Sequence, residues 1–274
     1  MRQETEFDKK QASARLREEI LSRLPGLDPT LLTVTSSLPS TNTALCELAK
    51  EGAPDGSVLI ALSQTAGRGR QGRSFFSPDG TGLYVSFLFR PTFSPEDVLL
   101  LTPTAAVCTA EAIESTFGVK TGIKWVNDVF LDGKKVAGIL TDAAFVPGES
   151  RLDFVVLGIG VNLAPPQNGF PDEIADVAGA VLQGRAEAER ALAPFAAALI
   201  DTVRRHVSAL PENPPLEEYR RRAFFLGDKI TLCRGTEEVP ARAAAIDERF
   251  RLVASLPDGT GRICDSGEIR IKVK

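Results

Sequence analysis

Residues 57–73 read SVLIALSQTAGRGRQGR, and residues 82–91 read GLYVSFLFRP. The first begins as an apolar run of strand length and ends in a loop where Gly67, Gly69 and Gly72 alternate with Arg68, Arg70 and Arg73. The second places Leu83, Val85, Phe87 and Phe89 at every other position, the period of a half-buried strand. A glycine-arginine loop between two strands is carried by a rigid scaffold, the usual setting of a binding loop. Working outward, LLTVTSSL (31–38) reads as a further strand, followed by a helix that Ser40 or Thr41 would cap. Ser94-Pro95 opens a helical stretch to about Phe117, which Pro103 is expected to kink or interrupt. Strands return in TGIKWVNDVFL, KKVAGILTDAAF and LDFVVLGIGVNL, and helical patterns in 187–209 and 216–225. The segment APPQNG (164–169) is a loop. Leu16, Ile20 and Leu24 predict a short amphipathic helix that ends at Pro25-Gly26.

After Gly227 the pattern changes to five short strands, KITLCR, EVPARAAAI, RLVASL, GRICD and EIRIKV, parted by Gly, Asp and Pro turns. Their even spacing predicts a small SH3-like barrel. The expected organisation is a helical extension over 1–30, a main domain over 31–226 and a small domain over 227–274. The extension is too short for a winged-helix DNA-binding module, which needs several helices and a hairpin.

The chain has 274 residues, 43% hydrophobic and 25% charged, which excludes a disordered or fibrous protein. Its formal charge of −4 gives no global attraction to nucleic acid or anionic lipid, so anion chemistry must come from a local cluster. The polar N-terminus lacks a signal-peptide pattern, and no run approaches the ~20 apolar residues of a spanning helix, so a cytoplasmic location with no membrane or DNA partner is expected. Cys46, Cys108, Cys233 and Cys264 lie far apart and read as buried free thiols. His206 is the single histidine, flanked by Arg204 and Arg205 on what reads as a solvated helix face. That count leaves no room for Ser-His-Asp or Cys-His catalysis, or for a His-based zinc site, unless His206 takes part.

The chemistry concentrates in a few segments. In 67–73, glycines allow close backbone approach and arginines offer forked donors to phosphate or carboxylate; a solvated basic loop or a nucleic-acid contact fits the same residues. Lys124-Trp125-Val126-Asn127-Asp128 joins an ammonium, an amide and a carboxylate, suited to nucleotide phosphates and Mg²⁺, or simply to a hairpin turn. Lys135 lies in an otherwise apolar strand beside Gly138, and a lysine there needs an anionic partner unless it faces solvent. Ser40-Thr41-Asn42 caps a helix, which is compatible with binding. GIGVNL (158–163) is a close-packed strand or part of a site, and it does not complete a dinucleotide fingerprint. No ordinary P-loop is present.

Taken in order, STN, SQTAGRGRQGR, GLYVS, KWVND, KKVAGIL and GIGVNL resemble the biotin protein ligase family, whose pattern includes GRGRxGR, KWPND and KxAGIL. The resemblance covers residues 31 to 164 strongly and the C-terminal strands more loosely. It implies the α+β, mixed-sheet catalytic domain shared with lipoate ligases, of the type without an N-terminal DNA-binding domain. It also implies activation of biotin with ATP and Mg²⁺ as biotinyl-5′-AMP, then transfer to a lysine of a biotin carboxyl carrier domain, by a monomer or homodimer. By the same resemblance Ser40, Thr41, Asn42, Gln64, Arg68, Gly69, Arg70, Lys135, Gly138, Gly158 and Gly160 would surround biotin. Arg68, Arg70, Arg73, Phe75, Lys124, Asn127, Asp128 and Asn162 would serve the nucleotide, with Asp128 the metal ligand. Arg70, Lys135 and Asp128 would carry the chemistry. Val126 stands where the family usually shows proline, which implies a less rigid turn, and Phe75 where many members carry tryptophan.

Overall fold

The computed structural model describes residues 6–265 and 270–273. A seven-stranded mixed sheet forms the centre: β1 (Leu32–Leu38), β2 (Val58–Gln64), β3 (Gly82–Phe89), β4 (Gly122–Lys124), β5 (Asp128–Leu131), β6 (Lys134–Phe145) and β7 (Leu152–Asn162). Their spatial order is β1-β2-β3-β7-β6-β5-β4; β1 and β2 are parallel and every other pair is antiparallel. The helices are α1 (Glu6–Arg23), α2 (Thr41–Lys50), α3 (Leu101–Phe117), a short α4 (Asp172–Ala175), α5 (Arg185–Val207) and α6 (Leu216–Arg222).

Strand parity decides which face each side chain joins. Val58 and Ile60, Leu83, Val85 and Phe87, and Val155, Leu157, Ile159 and Val161 meet the side chains of α1, α3 and α5 in the main core. Leu59, Leu88, Phe154 and Val156 point to the opposite face and pack with Leu45 and Ala49 of α2. β3 is therefore buried from Gly82 to Leu88, not half-buried as its alternation predicts, because α2 covers its second face. Leu16, Ile20 and Leu24 do form one stripe, and all three join the main core.

Pro103 neither kinks nor interrupts α3. A separate 3-10 turn (Asp97–Leu100) precedes the helix, so Pro103 falls in the first helical turn, where its missing N–H has no intrahelical partner to lose. By length and composition 97–117 does reach the threshold for crossing a membrane, contrary to the sequence expectation; 72% of its most apolar window is buried, because this is the central core helix. His206 is not on a solvated face: its side chain is only 15% exposed, and Nε2 lies 2.9 Å from Glu111 Oε2. That hydrogen bond is the main cause holding the Glu111 carboxyl below its usual range. All four cysteines are free; Cys46 is only half-buried.

The C-terminal segment forms a five-stranded antiparallel sheet in the order β11-β10-β9-β8-β12, from β8 (Lys229–Arg234), β9 (Glu237–Ile246), β10 (Leu252–Ser255), β11 (Gly261–Cys264) and β12 (Arg270–Val273). Residues 268 and 269 of the expected last strand lie outside the described residues. This unit reaches the main sheet through the turn before β10: Phe250 packs edge-on against Tyr219, with ring centroids 5.2 Å apart, and its carbonyl accepts from Trp125 Nε1 at 2.9 Å. Tyr219 is fully buried and its hydroxyl has no hydrogen-bond partner among the described residues. Burial, reinforced by the charge of Asp128, pushes its pKa well above the usual value. Tyr219→Phe is thus expected to leave stability unchanged or raise it by up to about 1 kcal/mol, because it removes a desolvated hydroxyl without breaking a bond. Denaturant midpoints test this, and a loss above about 1 kcal/mol would reveal a partner for that oxygen.

Candidate active site

The site lies on the face of the sheet where α2 begins and the 67–73 loop folds over. Register builds its floor. Tyr84 pairs with Gly160, Gly160 with Gly138, and Gly138 with Asp128; one step along, Ser86 pairs with Gly158 and Gly158 with Leu140. Three glycines from two adjacent strands thereby leave a shallow trough in an otherwise packed sheet. Side chains from above fill part of it. A Cβ on Gly158 would lie 1.9 Å from Asn42 Oδ1, and one on Gly160 2.6 Å from the Phe75 ring.

Helix α2 starts at the trough, with Ser40 at its N-cap accepting from Thr43 N at 3.5 Å. Thr41 and Asn42 are buried by its first turn. Gln64 Oε1 accepts from Thr41 N at 2.8 Å, and Gln64 Nε2 donates to Ser77 Oγ at 2.9 Å, so this amide braces the helix start against the base of the loop. Ser86 Oγ lies 2.8 Å from Thr41 Oγ1 and 2.6 Å from Asn42 Oδ1, sharing one proton between two acceptors.

The glycine-arginine loop is an ordered, narrow hairpin. Phe75 N donates to Gly67 O and Gly69 N to Arg73 O, at 2.8 and 2.7 Å. The tip turns through Gln71 and Gly72 at φ 55° and 74°. Gly67 is required by packing, since a Cβ there would meet Phe75 O at 2.3 Å. Of the loop cations, Arg70 NH1 donates to Asn127 Oδ1 at 3.0 Å. Arg68 points elsewhere, to a residue the sequence reading missed: it grips Asp142 of β6 with both nitrogens, at 2.9 and 3.1 Å.

KWVND takes the hairpin form that its residues allow. It is the turn of a hairpin, with Lys124 paired to Asp128, and it also lines a cavity. The turn is held without proline: Trp125 is tied to Phe250, Asn127 Nδ2 donates to Ile139 O at 3.0 Å, and Ile139 N returns a bond to Asn127 O at 3.0 Å. Lys135 has the anionic partner its position demanded, with Nζ 2.5 Å from Asp128 Oδ1. Burial lowers the pKa of Lys124, opposed by Asp128 and aided by Lys135 and Arg73, and its ammonium lies 5.9 Å from the Phe130 ring centroid. Burial likewise lowers that of Arg70, which Asp128 and Tyr219 oppose.

Two adjoining cavities result. One is lined by Ser40, Thr41, Asn42, Gln64, Arg68 and the glycine floor, with Ile139, Leu140 and Ile159. The other is lined by Gln71, Arg73, Ser74, Lys124, Trp125 and Asp128. Gly69, Arg70, Phe75, Asn127 and Lys135 line both. Phe75 is therefore a wall between chambers, edge-on to Tyr84, whose hydroxyl burial pushes up to about 12. Arg68, Arg70, Arg73, Lys124 and Lys135 gather around Asp128 and Asp142, a local positive excess in a chain of net charge −4. Asn162 is not brought in: it lines neither chamber, and its amide donates to Gly179 O at 3.0 Å. Ser86, Trp125 and Asp142 are the polar residues that sequence reasoning missed. Period-two counting from Gly138 through Leu140 would have put Asp142 on the site face.

No cluster of three or more metal-ligating side chains exists among the described residues, so the fold offers no protein-only metal cage. Mg²⁺ carried on nucleotide phosphates needs only one or two carboxylates, and Asp128 in the second chamber fits that requirement.

Residues 34–162 match the model of the Biotin/lipoate A/B protein ligase family. The bifunctional ligase/repressor BirA of Bacillus subtilis is 41% identical over 150 residues, 55% of this chain and 46% of that protein, so the matched part is about half of that relative's length. The biotin protein ligase of Aquifex aeolicus, solved with biotin and ATP, superposes with a TM-score of 0.72 at 26% identity, covering 89% of this chain and 99% of that one. The biotin--[acetyl-CoA-carboxylase] ligase of Mycobacterium tuberculosis is 32% identical over 231 residues, 81% of this chain and 82% of that protein. A match over most of both chains, on the fold and glycine floor described above, means that this chain belongs to the biotin protein ligase family.

Proposed function

We propose that the protein activates biotin with ATP as biotinyl-5′-AMP and transfers the biotinyl group to a lysine of a biotin carboxyl carrier domain. The observation that carries this reading is the shared wall: Arg70, Asn127 and Lys135 stand where two separately lined chambers meet. The first chamber suits biotin. Its Ser, Thr and Asn groups offer both donors and acceptors to a ureido ring with two N–H groups and one carbonyl, over an apolar and glycine floor for the rest. The second, with Arg73, Lys124 and Asp128, suits a nucleotide and its phosphates.

In the first half-reaction a biotin carboxylate oxygen bonds to the α-phosphorus while the bond to pyrophosphate breaks. Two anions must touch, and Arg70 and Lys135 oppose their repulsion at the junction and favour the charge that builds on the phosphoryl oxygens. Bound Mg²⁺, held by Asp128 and the phosphates, would further offset that charge. In the second half-reaction a carrier lysine nitrogen attacks the acyl carbon, AMP leaves with the bonding pair, and the amine loses a proton. Asp128, a carboxylate that lines the second chamber, would orient that amine.

Incubating the protein with biotin and α-labelled ATP tests the reading. A tightly held biotinyl-adenylate should form and discharge onto a carrier domain. Label incorporation that ignores biotin, or that prefers lipoate, would reject it.

A further inference from the structure

Asp142 stands on β6 two residues past Leu140, on the face that also carries Gly138, and just behind Asn42 and Arg68, which line the first chamber. Its carboxylate has two partners of different kinds. Oδ2 accepts from Asn42 Nδ2 at 2.9 Å and from Arg68 NH1 at 2.9 Å, and Oδ1 accepts from Arg68 NH2 at 3.1 Å. One partner belongs to the helix that bounds the chamber, the other to the hairpin that folds over it.

The consequences differ for the two. An ionised carboxylate only accepts, so it dictates that the amide nitrogen of Asn42 faces β6 and the oxygen faces Ser86. The other contacts agree: Nδ2 also donates to Leu140 O at 3.2 Å, and Oδ1 lies 2.6 Å from Ser86 Oγ. The reversed amide would set its oxygen against the Asp142 carboxylate and against the Leu140 carbonyl. For Arg68 the fork-to-fork geometry fixes a direction as well as a distance. With side chains 45% and 26% exposed, the pair adds little to global stability, so its effect is on where the hairpin sits. It also ties Arg68 to Asp142, whereas Arg70 and Lys135 line the junction of the two chambers.

We infer that Asp142 is a positioning residue of the first chamber, which orients the Asn42 amide and latches the arginine hairpin through Arg68, so that a single carboxylate links ring recognition to closure. The inference rests on the proposed function, since it takes the first chamber as the biotin chamber.

The test uses the full chain and measures adenylate formation with biotin and ATP varied independently, then the rate at which preformed biotinyl-AMP leaves the enzyme. For Asp142→Ala, the KM for biotin should rise about 10- to 100-fold, the effect of losing hydrogen bonds to a charged group, while the KM for ATP stays within about twofold. Loss of biotinyl-AMP should speed up about tenfold in Asp142→Asn and in Arg68→Met, and the double variant should be no faster than either single one, the signature of one shared contact. Asp142→Glu should recover part of the retention. A general packing defect would move both KM values together and would not be rescued. If wild type makes biotinyl-AMP and Asp142→Ala matches it in biotin KM and retention, or if the Arg68 and Asp142 effects simply add, the latch is wrong and the proposed function stands. If wild type makes no biotinyl-AMP, both fall.

Discussion

Replacing Lys135 by alanine is expected to slow formation of the adenylate about a hundred- to a thousandfold, the usual result of removing one preorganised donor from a site of developing negative charge. Lys135 is at the junction of both chambers and bound to Asp128 at 2.5 Å. Its loss leaves Arg70 as the remaining junction cation and leaves the Asp128 carboxylate facing the incoming phosphates without its ammonium. Arg70→Ala should act in the same direction, and because Arg70 also holds Asn127 at 3.0 Å it should disturb the KWVND turn as well. Neither change should unfold the chain: the Lys135 and Asp128 side chains keep 28% and 24% exposure, so water can take the place of the lost partner. Biotin-dependent pyrophosphate release, measured beside a melting curve, decides the matter. Wild-type rates in both variants would remove these two cations from the chemistry.

The second large effect is expected from the smallest substitution. Gly158→Ala would place a methyl group 1.9 Å from Oδ1, 2.7 Å from Cγ and 3.0 Å from Nδ2 of Asn42. A long surface side chain could swing aside, but Asn42 is 4% exposed and is held by Leu140, Asp142 and Ser86. Either the helix start shifts or the amide is expelled, and each removes Asn42 from the chamber. The KM for biotin should rise at least tenfold, with an overpacking cost of about 1–3 kcal/mol in stability. Titration of folded variant with biotin checks it; unchanged affinity would show that biotin does not use the Asn42 end of the trough.

Both predictions turn on features that differ in how far they can be read from residue order. The alternation of apolar runs with glycine and proline punctuation marks the strand segments of both sheets, except that TGIKWVNDVFL reads as one run where the structure has β4 and β5, because a strand's period and a turn's backbone demands are local. The choice at Lys135 was local only in part: an ammonium among valine, alanine and isoleucine either faces solvent or takes an anion, and the fold supplies Asp128. Where the reading went astray, the deciding contact was distant in sequence. Pro103 is the local exception, a helix breaker by its sequence until the 3-10 turn just before it sets it at a helix start. His206 reads as solvated until α3 brings Glu111 beside it. β3 reads as half-buried until α2 covers its other face.

The glycine floor shows the same division within a single motif. That Gly138, Gly158 and Gly160 lack side chains is written in the chain; that they fall side by side is a matter of register, with Gly138 opposite Gly160. The identity of the cations is likewise plain from the GRGRQGR loop and the two lysines. Which of them faces the junction is not, since Arg68 and Arg70 are two residues apart and indistinguishable by type. Only the folded sheet, which brings Asp142 to Arg68 from 74 positions away and Asn127 to Arg70 from 57, separates the arginine that grips a carboxylate from the one at the junction of the chambers. Local pattern is set by backbone geometry and side-chain polarity within a few residues. The partner of a charge is set by whatever the whole chain packs against it.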